Sequence, residues 1–155
     1  MQKGPKISLT DDGPLRTEIH RICETTDRRG LARWSILLAG RALHSAGLDP
    51  DSIECVREGF AVNGRWQEGL ATVGDVRRAA FVIHRIARAC ESETERAALR
   101  AAGHAVASGH VGEHALVASD YAVRTACLAD LGDIGAATRE RLLQLEELRG
   151  ASEHT

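Results

Sequence analysis

Three histidines cluster between residues 104 and 114, at His104, His110 and His114. His110 and His114 stand four residues apart, so on a continuous helix they share a face. Imidazoles at that spacing can ligate a divalent metal, and Tyr121, seven residues after His114, falls on the same face. A metal site also needs a third ligand and a partner for each ring's other nitrogen. Glu113 lies about 100° round the helix from His114 and does not serve. No metal and no cofactor are therefore expected. A metal would need the break at Gly109 to fold His104 back, and two readings stand ahead of it for the rings. They fill gaps between helices, bonded to carbonyls or carboxylates, or they line a polar pocket.

A second constellation lies at Arg77, Phe81, Arg85 and Arg88, with His84 towards the same side. A large aromatic among arginines is unusual for a solvated face, and both types are enriched at interface hot spots. Either this face meets a partner, or it packs against another layer of the fold. Asp120 and Arg124, four residues apart, read most simply as a surface ion pair of little energetic weight. A carboxylate there, beside the histidine face, is also a candidate for a general base.

The usual enzyme signatures are missing: no GxSxG, no phosphate-binding loop, no GxGxxG between strand and helix, and no HExxH. The glycines between Gly103 and Gly112 lie in helical sequence and lack a phosphate-cradle pattern. The four cysteines, Cys23, Cys55, Cys90 and Cys127, form no CxxC and have no histidine at zinc-finger spacing, so reduced thiols in helical interiors are expected.

The elements that must position these residues are helices. Thr10, Asp11 or Asp12 caps a first helix, with Pro14 in its first turn, running to Cys23. Glu24 to Gly30 reads as a loop. Leu31, Trp34, Leu38 and Ala42 share a helical face that stops at Gly47. Asp49 and Pro50 open a third helix, leading through Ile53, Val56 and Phe60 to Trp66. Thr72 opens a fourth, whose stripe is Val76, Ala79, Ala80, Ile83, Ile86, Ala87 and Cys90. Ser92 to Glu95 is a capping box. The helix after it presents Ala98, Ala101, Ala102 and Ala105, a face almost without bulk, which lets a neighbour approach closely. Ser108 and Gly109 break the pattern. Val111, Ala115, Ala118, Ala122, Ala126 and Ala129 form a further stripe, and a last helix carries Ala137, Leu142, Leu145 and Leu148 to Gly150.

Composition agrees. The chain has 155 residues, enough for one core, with 43% hydrophobic content but only 3% aromatic. Alanine supplies 24 residues, so elements pack through small side chains. A net charge of −2 argues against a nucleic-acid binder that relies on a broad basic field. No apolar run is long enough to span a membrane, and the first residues lack the apolar core of a secretory signal. The expectation is a cytoplasmic, all-α single domain: a bundle or stack of about seven helices over 10–150, with an N-terminal arm over 1–9 and a tail over 151–155.

Several stretches resemble one family. Lys6-Ile7-Ser8-Leu9-Thr10-Asp11-Asp12 is similar to the start of the immunity-five-like domain found with bacterial polymorphic toxins. Trp66, Val73-Gly74-Asp75-Val76-Arg77, and Ala79-Ala80-Phe81 with His84 resemble its central stretch. Arg100 to Ala107, then His110-Val111, His114-Ala115 and Tyr121-Ala122, resemble its most recognisable motif, and Glu140-Arg141 with Gln144-Leu145 its closing helix. The resemblance implies a protein that binds and neutralises a toxin, and names neither the toxin nor a catalytic residue. Departures at Gly13-Pro14 and over Thr25 to Gly30 bear on which partner it would choose. The leading expectation is thus a non-catalytic binding protein with a protein partner, a toxin or a paired subunit, with homo- or hetero-dimers among the arrangements and neither nucleic acid nor membrane. The binding residues are Arg77, Phe81, His84, Arg85, Arg88, His104, His110, His114 and Tyr121. The alternative is a cofactor-independent enzyme, or enzyme-complex subunit, acting on an anionic small molecule in a biosynthetic pathway. It would use His104, His110, His114, Asp120 and Tyr121, with arginines holding the anion. A structural subunit without activity is a third reading.

Overall fold

A computed structural model describes residues 10–109 and 111–153. The N-terminal arm and His110 lie outside them. Among the described residues there are seven α-helices and no strand, and 79% are helical. The helices are α1 (Gly13–Cys23), α2 (Arg28–Ser45), α3 (Glu54–Gln67), α4 (Val73–Ala89), α5 (Glu93–Ala107), α6 (Glu113–Ala129) and α7 (Ala136–Glu153).

Side-chain caps set most of the starts. Asp12 accepts from the Leu15 amide at the head of α1, and Ser92 from the Glu95 amide at the head of α5. Thr72 and Asp75 close a full capping box on α4. The expected box at Ser92 forms only half, because the Glu95 carboxylate receives the Cys90 thiol instead. Asp27 overturns part of the expected loop: its carboxylate accepts from the Gly30 amide, so α2 begins at Arg28, inside a stretch whose polar and glycine content reads as loop. Asp49 and Pro50 open a single 3-10 turn (Pro50–Ser52), and Ile53 is extended before α3 starts.

Helix α5 is the centre. It packs against α2, α3, α4 and α6, and Ala98, Ala101, Ala102 and Ala105 are fully buried. Its small face lets α4 and α6 close in from two sides, as the alanine spacing predicts. Gly59 of α3 extends the same logic, since a Cβ there would stand 2.9 Å from Ile83. Asn63 of α3, buried, donates to the Ala105 and Val106 carbonyls and so satisfies the end of α5. Three predicted stripes are narrower than expected. Ile86 and Leu142 are exposed, and the α6 stripe leaves the core after Ala122.

The opposite side of the bundle is held by charge. Arg141 of α7 is fully buried and donates to both carboxylate oxygens of Asp11, to Asp120, to Ser119 and to Gln144. Arg16 of α1 forks onto Asp120 with two 2.9 Å bonds. Asp120 is therefore neither half of a surface pair nor a base on the histidine face: it has no exposed surface and is clamped by two guanidiniums. The network continues from Gln144 to Glu140, and Arg41 of α2 bridges Glu140 and Glu147.

Removing one partner of a buried pair strands the others. Asp120→Ala should cost about 3–5 kcal/mol of folding free energy, read from denaturant unfolding. A loss under about 1 kcal/mol, the figure for an exposed pair, would show that this cluster does not staple α1 to α6 and α7.

Candidate functional site

Residues from α4, α5 and α6 converge on one open cavity of about 450 Å³, lined by Arg77, Ala80, Phe81, His84, Arg88, Arg100, His104, Ala107 and His114. On α4 the lining residues recur at helical spacing, so Arg77, Phe81, His84 and Arg88 share a face. On α5, Arg100, His104 and Ala107 do the same. Members of both constellations singled out in the sequence thus line a single pocket. Phe81 stands at it with 67% of its surface exposed, so this face of α4 is not covered by another layer of the fold.

The histidines touch one another. His84 and His104 meet edge to face with ring centroids 4.7 Å apart, and His104 stacks on His114 at 5.1 Å and on Tyr121 at 5.6 Å. His104 Nδ1 lies 2.9 Å from His114 Nδ1, so one carries the proton and the other accepts it. His114 therefore pairs with a ring ten residues back on α5, while its i,i+4 neighbour His110 lies outside the described residues. Across the histidine pair is a smaller cavity of about 130 Å³, where Glu113 joins the lining. Among the described residues, no three His, Cys, Asp or Glu side chains are placed to hold a metal ion.

Gly103 makes the close approach possible. A Cβ at that position would lie 2.6 Å from the His84 ring, so the imidazole occupies the space that a side chain would need. Arg100, which the sequence reading left out of the binding set, donates to His84 Nδ1 at 2.8 Å. Its i,i+4 spacing to His104 was the signal available. Arg85 is exposed and does not line the cavity, and Asp120 belongs to the buried charge network instead.

Burial, and then the charge of Arg100 with smaller electrostatic contributions from His114 and Arg88, push the His84 pKa down to about 4. The ring is neutral at physiological pH. All four cysteines are free and half-buried, and burial pushes the Cys23 thiol up to about 12, leaving it a poor nucleophile.

Two outcomes follow from this packing. Gly103→Ala must displace the His84 ring or the helix beneath it, and should cost about 1–3 kcal/mol by overpacking, measured by thermal unfolding with the His84 resonances as the local report. His84 should titrate near pH 4 by NMR and shift upward in Arg100→Gln. An ordinary value near 6.5 in the native protein would refute the arrangement. Since the unfolded chain binds a proton that native His84 refuses, the stability from this group is whole above about pH 6.5 and lost as pH falls towards 4.

No curated protein and no solved structure matches the chain. A family model, described as Imm-5 like putative immunity protein, matches residues 21–151. That span takes in α2 to α6 whole, nearly all of α7, and every residue lining the cavity. With most of its length matched, the chain belongs to the Imm-5 like putative immunity protein family.

Proposed function

We propose that this protein is a non-catalytic immunity protein of a bacterial toxin system, which binds and neutralises a cognate toxin in the cytoplasm. Family membership over residues 21–151 is the observation that carries the reading. The α4 face supports it: Phe81 offers an exposed apolar anchor, and Arg77, Arg85 and Arg88 offer planar donors suited to carboxylates. Catalysis is disfavoured by the placement of Asp120, whose carboxylate is committed to Arg16 and Arg141. No helix among the described residues is long and apolar enough to cross a membrane, which suits a partner met in solution.

Co-expression with the toxin encoded beside its gene should restore growth, and the two chains should co-purify. Truncating a central anchor costs about 2 kcal/mol or more, so Phe81→Ala should weaken association at least roughly 30-fold while barely changing the melting temperature. Growth that stays arrested with both chains soluble would sink the proposal. A fall in stability of about 3–5 kcal/mol in Phe81→Ala would mean that the ring serves folding instead.

A further inference from the structure

Among the described residues, three guanidiniums line one cavity with no carboxylate paired to them. Arg77, Arg88 and Arg100 all line the 450 Å³ space, and its lining contains no Asp or Glu. Acid is not scarce in this chain, which has 22 acidic and 20 basic residues. Seven arginines elsewhere find it: Arg16, Arg21, Arg41, Arg78, Arg139, Arg141 and Arg149 pair with carboxylates, while exposed ones such as Arg33 and Arg85 stand apart, dispersed over the surface rather than gathered in a concavity. Like charges gathered in a concavity repel one another and raise its potential, a cost that an arriving anion removes.

The neutral histidine adds a donor. Arginine can only donate, so its contact with His84 fixes that ring as acceptor at Nδ1 and places its proton on Nε2. Among the described residues nothing accepts the Nε2 hydrogen. Ala80, Ala107 and Phe81 supply an apolar wall for a carbon skeleton, and the volume falls within the range of small-molecule sites, about 300–1,000 Å³.

We infer that the cavity between α4, α5 and α6 binds an organic anion carrying two or more carboxylate or phosphate groups, held by Arg77, Arg88 and Arg100 with the His84 Nε2 hydrogen as a neutral donor. The chemistry can come from a free small anion or from neighbouring acidic side chains presented by a protein. The site is a property of this chain alone, so it is tested without the toxin and stands or falls separately from the immunity reading.

Calorimetric titration of the purified chain at low salt tests it, with citrate, inorganic pyrophosphate and an acetylated tetraglutamate peptide as probes. At least one should bind saturably at one per chain. Arg100→Gln and Arg77→Gln should each weaken that binding tenfold or more, with circular dichroism confirming the fold. Arg33→Gln, which removes an exposed α2 charge outside the cavity, should leave it unchanged. Tighter binding of citrate or pyrophosphate than of the peptide identifies a free anion as the occupant, and the reverse order identifies acidic side chains. No saturable binding of any probe, or equal weakening in Arg33→Gln, overturns the inference.

Discussion

The buried guanidinium of Arg141 is the constraint around which one side of the bundle is built. Taking a charge of that size out of water costs several kcal/mol after relaxation, and the cost is met only when every donor finds an acceptor. Arg141 meets it with Asp11, Asp120, Ser119 and Gln144, drawn from the start of α1, from α6 and from its own helix. Burial alone would lower its pKa, but the bonds to Asp11 and the charge of Asp120 outweigh that and raise it. The geometry is over-determined, because Arg16 holds Asp120 from a second direction. Helix α6 is thereby fixed in rotation. With Asp120 turned into the charge cluster, His114 and Tyr121 are left on the side that faces His104.

The other side of the bundle is built on the opposite principle. Alanine and glycine at the faces of α5 provide no bulk, so neighbouring helices come close and the remaining gaps decide what can fill them. Over Gly103 the filler is an imidazole. A histidine there is flat enough to lie against the backbone, yet it still needs a partner for its ring nitrogen, which Arg100 supplies. The gap-filling reading of the histidines and the pocket reading therefore describe the same atoms. The rings do fill interhelical space, and in doing so they form the floor of a cavity.

Local signals made the fold legible. Caps at Asp12, Thr72 and Ser92, and the small face of α5, act within one turn of helix and can be read from a single sequence. The α4 wall was legible for the same reason, since Arg77, Phe81, His84 and Arg88 recur at helical spacing. What could not be read was distance along the chain. Asp120 has Arg124 four residues away, and that local pairing suggests a surface position; the partners that bury it are Arg16 and Arg141, 104 and 21 residues away. His114 likewise meets His104, ten residues back across a helix break. One arginine near the start of a helix, as at Arg100, looks like ordinary solvated charge until the facing helix is known. Asp27 failed in the other direction, as a strong cap inside a run whose composition alone argues for a loop.

Two groups of arginine in this chain have opposite energetics. Those joining α1, α2, α6 and α7 are matched to carboxylates in forks, and their burial is tolerable for that reason alone. Those at the α4–α5 cavity are left unmatched, although acidic residues outnumber basic ones in the chain. A bundle selected only for stability would place a glutamate at one of those lining positions. It would relieve the repulsion among the guanidiniums. The chain instead keeps a desolvated, neutral imidazole among cations, which lowers its own stability in acid. An arrangement that is locally unfavourable when empty becomes favourable when an anionic group enters, and that conditional gain is the physical signature of a binding site.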